Sequence, residues 1–293
     1  MNLVLTVAEI VAPVFLLAGV GFVWVKLGIE FRIRFVTHLA MTLAVPCLIF
    51  TALMKTDIEP AALTAVSLAS IAAYAVVTVI LWMTLAALRL DRRTFLAPLI
   101  FGNTGNLGLP LALFAFGETG LAFAVVIFAI MLLISFTFGV WLVSGGGSVV
   151  KALTDPVAIA TVLGALFLWQ GWSTPRFLTN TLELIGQLTI PLMLITLGVA
   201  LARLKPANLG QAFWLSLLKA AVCMGVAAGF GLWFDLAPIP FAVLVLQVGT
   251  PVAVTNYMLA EKYGADADAV AGLVVVSTLM SVALLPLLLA VVI

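Results

Sequence analysis

The sequence predicts an all-α polytopic membrane protein. Ten transmembrane helices are expected as two inverted five-helix repeats, with helices four and nine broken and crossing. Three observations predict this. The 293 residues are 65% hydrophobic and 9% charged, with mean hydropathy +1.32. Apolar runs long enough to cross a bilayer follow one another with only short loops between them. Two of these runs, one in each half, carry glycine- and proline-rich interruptions.

A soluble domain has about 25% charged and 45–50% apolar residues. This chain has too little polar surface to cover a water-soluble globule, which excludes a soluble enzyme and a disordered chain. Thirteen Lys+Arg against twelve Asp+Glu leave a net charge of +1, which is no footprint for a nucleic acid. Cys47 and Cys223 both fall in apolar runs and read as small buried hydrophobes. His38 is the single histidine, so no metal site built on several histidines is available and none is expected.

Crossing about 30 Å of hydrocarbon takes roughly 20 apolar residues. The first span covers 5–26; it has no basic leader and no small-residue cleavage site, so it reads as a membrane helix and not a signal peptide. Spans two and three cover 35–54 and 61–88. Span four, 94–117, contains the interruption from Phe101 to Pro110, FGNTGNLGLP. Span five, 119–143, ends at the flexible run from Ser144 to Ser148, which divides five spans from five. The remaining spans are 156–172, 180–202, 209–233, 238–260 and 268–292. Residues 1–145 and 146–293 are then the two repeats.

Basic residues set the orientation. Lys26, Arg32, Arg34, Arg89, Arg92, Arg93, Lys151, Arg203, Lys205 and Lys262 fall on one side; Lys55 and Arg176 fall on the other. The richer side is cytoplasmic, so both termini are expected outside. An odd number of spans per half makes the halves opposite in orientation. Internal matches agree: Leu43, Pro46 and Thr51 match Leu188, Pro191 and Thr196 at an offset of 145, and Gly102, Phe116 and Gly117 match Gly249, Tyr263 and Gly264 at 147.

The two interruptions are the candidate site. Gly and Pro free backbone groups that lipid cannot satisfy, so such breaks survive only against protein or a water-filled cavity. Matched breaks in two halves point to a transporter site near the midplane. Gly102, Gly108 and Pro110 mark the first break, and Gly249 and Pro251 the second. Pro110 and Pro251 suit the first position of each restarted half-helix. Half-helix N-termini favour an anion. Asn103, Thr104, Gly105, Asn106, Thr250, Pro251, Val252 and Asn256 are the expected substrate contacts, with Thr255 beside them. Alternatively, these polar groups only restore lost backbone bonds.

The run Gly102 to Pro110, followed by Phe116-Gly-Glu118, resembles the fourth-helix signature of the auxin efflux carrier family. The stretch from Val248 to Gly264 resembles its ninth-helix counterpart, and the pattern leading to Pro46 is also similar. The resemblance covers the whole chain. It implies an architecture like sodium/proton antiporters and bile-acid symporters, with helices one, two, six and seven as scaffold. Helices three to five and eight to ten would form a transport unit that moves like an elevator. It further implies a small organic anion, auxin- or malonate-like, as substrate, a bacterial cytoplasmic-membrane location and a homodimer through the scaffold. The long loop that many plant members carry between helices five and six is absent, which places the chain with the compact bacterial branch.

Lys219 lies ten residues into span eight, ~15 Å deep at 1.5 Å per residue. Either it pairs with a carboxylate substrate or sets the charge of the transport unit, or it snorkels to the cytoplasmic surface. Glu9, Glu118 and Glu261 are expected at membrane boundaries. Tyr74, inside span three, either binds substrate or anchors packing, and packing is the favoured expectation. The expected function is a secondary carrier without cofactor, its coupling to H⁺ or Na⁺ left open. A sodium-coupled organic-anion symporter is the alternative. A cation/proton antiporter is disfavoured because all six Asp lie in loops or at span ends. An intramembrane enzyme is disfavoured because His38 has no nucleophile motif beside it.

Overall fold

A computed structural model describes residues 3–55, 58–144 and 154–292. Regular structure among them is helical, and the one β-bridge is an isolated antiparallel pairing of Gly102 with Val252. The helices are α1 (Leu3–Lys26), α2 (Ile33–Leu39), α3 (Val45–Lys55), α4 (Pro60–Ala87), α5 (Arg92–Ile100), α6 (Leu109–Ile134) and α7 (Val140–Ser144). After the described gap follow α8 (Pro156–Gln170), α9 (Arg176–Gly186), α10 (Thr189–Arg203), α11 (Leu209–Trp233), α12 (Pro238–Val248), α13 (Val254–Tyr263) and α14 (Ala267–Val292). Against the ten spans expected, seven helical stretches among the described residues are long and apolar enough to cross a membrane: Glu9–Lys26, Ile33–Lys55, Ala61–Ala87, Thr104–Ser144, Arg176–Arg203, Leu209–Trp233 and Ala267–Ala290. Pro156–Gln170 and Pro238–Val248 are shorter apolar helices. The chain is a multi-pass membrane protein. The glycine run expected as the link between halves lies, after Ser144, outside the described residues.

Wide π-helical turns join α2 to α3 (Ala40–Ala44) and lead into α6 (Thr104–Gly108). Each ends just before a proline, Pro46 and Pro110. Proline has no N–H and its ring presses on the carbonyl four residues back; a widened turn relieves that clash and lets the helix continue. This corrects the expectation for Pro110. The helix restarts six residues earlier, at Thr104. Pro251 also does not open a helix, since α13 begins at Val254 and Pro251 lies in extended chain. The run Thr104–Ser144 turns at Gly117, whose φ of 63° and ψ of −157° break the helical path. A side chain is strained there, so glycine is required.

Two groups of helices pack internally. In one, α1 lies along α10, and α3 packs on α8 and α9. In the other, α11 packs on α4, α12 and α14, and α12 packs on α6. Arg93, at the start of α5, donates to the carbonyl of Val143 (2.8 Å) and to that of Tyr263, tying the ends of α7 and α13 together. A cation suits those carbonyl ends.

The α1–α10 contact is close because glycines face backbone across it. A Cβ at Gly21 would lie 2.0 Å from the Ile195 carbonyl oxygen, and one at Gly198 only 1.7 Å from that of Ala18. Without a hydrophobic force between helices in lipid, such contacts hold the pair through dispersion. Gly198→Val is expected to cost about 3 kcal/mol or more, since backbone cannot move aside as a side chain can. A thermal melt of the purified protein checks this. Gly225→Ala, with nothing within 4 Å of its Cβ, should leave the midpoint in place.

Candidate functional site

Helix α5 ends at Ile100, and the chain runs extended through Phe101–Asn103 before turning helical at Thr104. The second break runs from Gly249 to Ala253, between α12 and α13. The two extended pieces meet. Gly102 bridges Val252, and the Asn103 N–H donates to the Pro251 carbonyl at 2.7 Å. The Phe101 carbonyl accepts from the Ala253 N–H (3.5 Å) and from Asn256 Nδ2 (3.0 Å). The Val252 N–H donates to Ser277 Oγ at 3.0 Å. Each break thus supplies hydrogen-bond partners to the other, as buried backbone in a membrane demands.

The crossing has two sides of different character. On one side lies a cavity of about 80 Å³ lined by Asn103, Gly105, Asn106, Val254 and Thr255, with Met41 and Met193 opposite. It adjoins a wider cavity of about 280 Å³ that shares Met41, Asn106, Met193, Val254 and Thr255 with it and reaches Thr37 and Arg203. Both restarted half-helices, at Thr104 and Val254, open here with their N-termini. Their first N–H groups have no helical partner, and the partial positive charges of both ends add. Asn103 is 4% exposed and, among the described residues, its Nδ2 has no hydrogen-bond partner. Arg203 is the one charged residue lining the wider cavity, and its guanidinium donates to the Phe31 carbonyl at 2.7 Å.

On the other side, Lys219, Ser216, Thr250, Pro251, Ser277 and Ser281 line a cavity of about 20 Å³. Lys219 Nζ lies 3.2 Å from the Leu99 carbonyl oxygen in the last turn of α5. The lysine is 2% exposed, so the alternative that it snorkels to the surface is overturned.

The structure therefore brings only some of the expected residues together. Asn103, Gly105 and Asn106 share a cavity with Thr255. Thr104 is fully buried, and its hydroxyl has no partner. Thr250 donates to the Gln247 carbonyl (2.7 Å) and packs on Gly102, away from that cavity. Asn256 spends its amide on the Phe101 and Ala253 carbonyls, and Val252 is sealed in the bridge. Gly108 gives its space to Gln247, whose Oε1 would lie 2.2 Å from a Cβ there. Gln247 itself went unnoticed in the sequence. It is fully buried with Oε1 unpartnered, and its signal was an amide in an apolar run two residues before Gly249. Glu118 is exposed beside a fourth cavity of about 410 Å³, with the Lys55–Glu183 ion pair (2.7 Å) also on its wall.

A family described as "Membrane transport protein" matches residues 6–147 and 140–289. An "Uncharacterized transporter" of Methanothermobacter thermautotrophicus is 28% identical over 296 aligned positions, covering 95% of this chain and 96% of that protein. A second "Uncharacterized transporter", from Methanocaldococcus jannaschii, is 28% identical over 64% of each chain. A protein of Rhizobium meliloti named "Putative malonate transporter" is 27% identical over 62% of each chain. With both broken-helix motifs in place and the family match running almost end to end, the chain belongs to the membrane transport proteins of the auxin efflux carrier family.

Proposed function

We propose that the protein is a secondary carrier of small carboxylates. Ten crossings in two inverted repeats form a scaffold from α1–α3 and α8–α10 and a transport unit from α4–α7 and α11–α14. The unit slides against the scaffold like an elevator, in a cytoplasmic membrane with both termini outside. One observation carries the reading: two half-helix N-termini converge on a single cavity that contains an unpartnered, buried Asn103 amide. Such a cavity accepts an anion without a buried counter-ion of its own.

In this reading Asn103, Gly105, Asn106 and Thr255 contact the carboxylate, and the N-terminus at Thr104 supplies backbone donors. Thr250, Val252 and Asn256 hold the crossing. Methionines 41 and 193 face them from the scaffold, so the site sits between the parts that move. The cavity reaching Arg203 opens toward the side rich in basic residues, which is the cytoplasmic side. The malonate named for the Rhizobium meliloti relative makes it a first substrate to try.

A second reading, sodium-coupled symport, is favoured by Gln247 Oε1 and Thr104 Oγ1, two buried oxygens without partners. Amide and hydroxyl oxygens suit a hard cation. Uptake of [¹⁴C]malonate and [¹⁴C]indole-3-acetate into proteoliposomes, with and without imposed Na⁺ and H⁺ gradients, tests both. Flux of either compound above that of empty liposomes is expected. No flux with either, under any gradient, overturns the carrier reading. Flux indifferent to Na⁺ overturns the symport reading alone.

A further inference from the structure

We infer that Lys219 is the counter-charge of the transported anion: the empty transport unit carries one buried positive charge through the membrane, and one monovalent anion aboard offsets it. The inference rests on the carrier reading and adds to it the charge carried by each half of the cycle. Among the described residues, Lys219 is the one buried side chain with a formal charge. It takes part in neither of the two ion pairs there, Arg32–Glu30 and Lys55–Glu183. Its helix, α11, packs chiefly on α4, α5, α12 and α14, all within the proposed moving unit.

The surroundings explain how a lone ammonium is held. Nζ donates to the Leu99 carbonyl at 3.2 Å, with Cys223 Sγ at 3.8 Å. Leu99 lies in the last turn of α5, where carbonyls lack helical partners and the helix end carries partial negative charge. The adjoining cavity offers hydroxyls from Ser216, Thr250, Ser277 and Ser281 and no carboxylate. The C-terminal end of a broken helix therefore neutralises part of this charge, just as the N-terminal ends on the other side await an anion.

That division has an electrical consequence. Lys219 lines neither cavity that contains Asn106, so it does not touch the substrate. It travels with it. A unit charge moved through the whole membrane field changes an equilibrium roughly 50-fold per 100 mV, and through a third of the field about fourfold. The empty unit feels this, and the unit loaded with a monovalent anion does not. Inside-negative potential draws the empty unit toward the cytoplasm, and exchange of one anion for another is insensitive to voltage.

Substrate-free charge movement tests this without knowledge of the substrate. Proteoliposomes fused to a planar bilayer are stepped in voltage, and the transient current is integrated. The unaltered protein is expected to give equal on and off charges that saturate. Lys219→Met should abolish them, and Lys219→Arg should restore them. Monodisperse elution in detergent shows that each variant folds. If Lys219→Met does not, Lys219→Gln, which keeps a donor for the Leu99 carbonyl, takes its place. No transient in the unaltered protein, or an unchanged transient in the Met or Gln variant, overturns the inference. Carboxylate uptake without the transient removes only this inference; the transient without uptake removes the carboxylate-carrier reading and leaves Lys219 as a charge that moves with the unit.

Discussion

The Gly102→Ala protein is expected to lose at least about 99% of its carboxylate flux and to unfold at a lower temperature. The added Cβ would lie 2.2 Å from Thr250 Oγ1 and 2.9 Å from the Thr250 carbonyl oxygen. Rotating the Thr250 hydroxyl away breaks its 2.7 Å bond to the Gln247 carbonyl and still leaves the backbone contact. The extended segments must then separate, which strains the Asn103–Pro251 hydrogen bond and the bridge to Val252. Overpacking alone costs about 1–3 kcal/mol. Unpaired backbone inside a membrane adds to that. The loss of flux follows because the N-termini at Thr104 and Val254 are aimed by this bridge. Thermal melts and uptake assays on the same preparations read both effects. Gly102→Ala/Thr250→Ala removes the shortest contact and should recover part of the stability. A single variant as stable and as active as the unaltered protein would show that the crossing yields where it is described as tight.

The Asn103→Ala/Asn106→Ala double variant is expected to behave in the opposite way, losing transport with its stability kept. Asn103 Nδ2 has no acceptor among the described residues, so truncation breaks no hydrogen bond described at that atom. The Asn103 carbonyl, which accepts from the Leu107 and Gly108 N–H groups at 3.1 Å, is backbone and remains. Asn106 is half-buried on the cavity wall. Each hydrogen bond to a charged partner contributes about 1.5–3 kcal/mol, so losing two lowers kcat/KM by about a hundredfold or more. Uptake kinetics against a melting curve separate this outcome from unfolding. Normal kinetics would remove both residues from the site.

Much of the molecule was legible before its structure. The all-helical, multi-pass membrane character could be read because the bilayer demands some 20 apolar residues at a time. Interruptions at Phe101–Asn103 and Gly249–Ala253 could be read because glycine and proline at membrane depth have few explanations. Less could be read about what each polar residue does. Asn103 and Asn256 look alike in the sequence, yet one amide is unpartnered and the other is spent on the Phe101 carbonyl. Pro110 looked like a helix start, but the π turn before it lets the helix begin at Thr104. Gln247 was hidden in an apolar run.

The sequence by itself determined that this is an all-helical membrane protein of the auxin efflux carrier family, and where two of its helices break. Those are local properties, set by hydrocarbon thickness and by the need of each backbone group for a partner. Only the tertiary structure decided which side of the crossing each group faces. It put Asn103 and Asn106 with the two N-termini, and Lys219 with the C-terminal carbonyl of Leu99. A broken helix has ends of opposite sign. Which end a side chain meets depends on how Gly102 and Val252, 150 residues apart, pair across the gap.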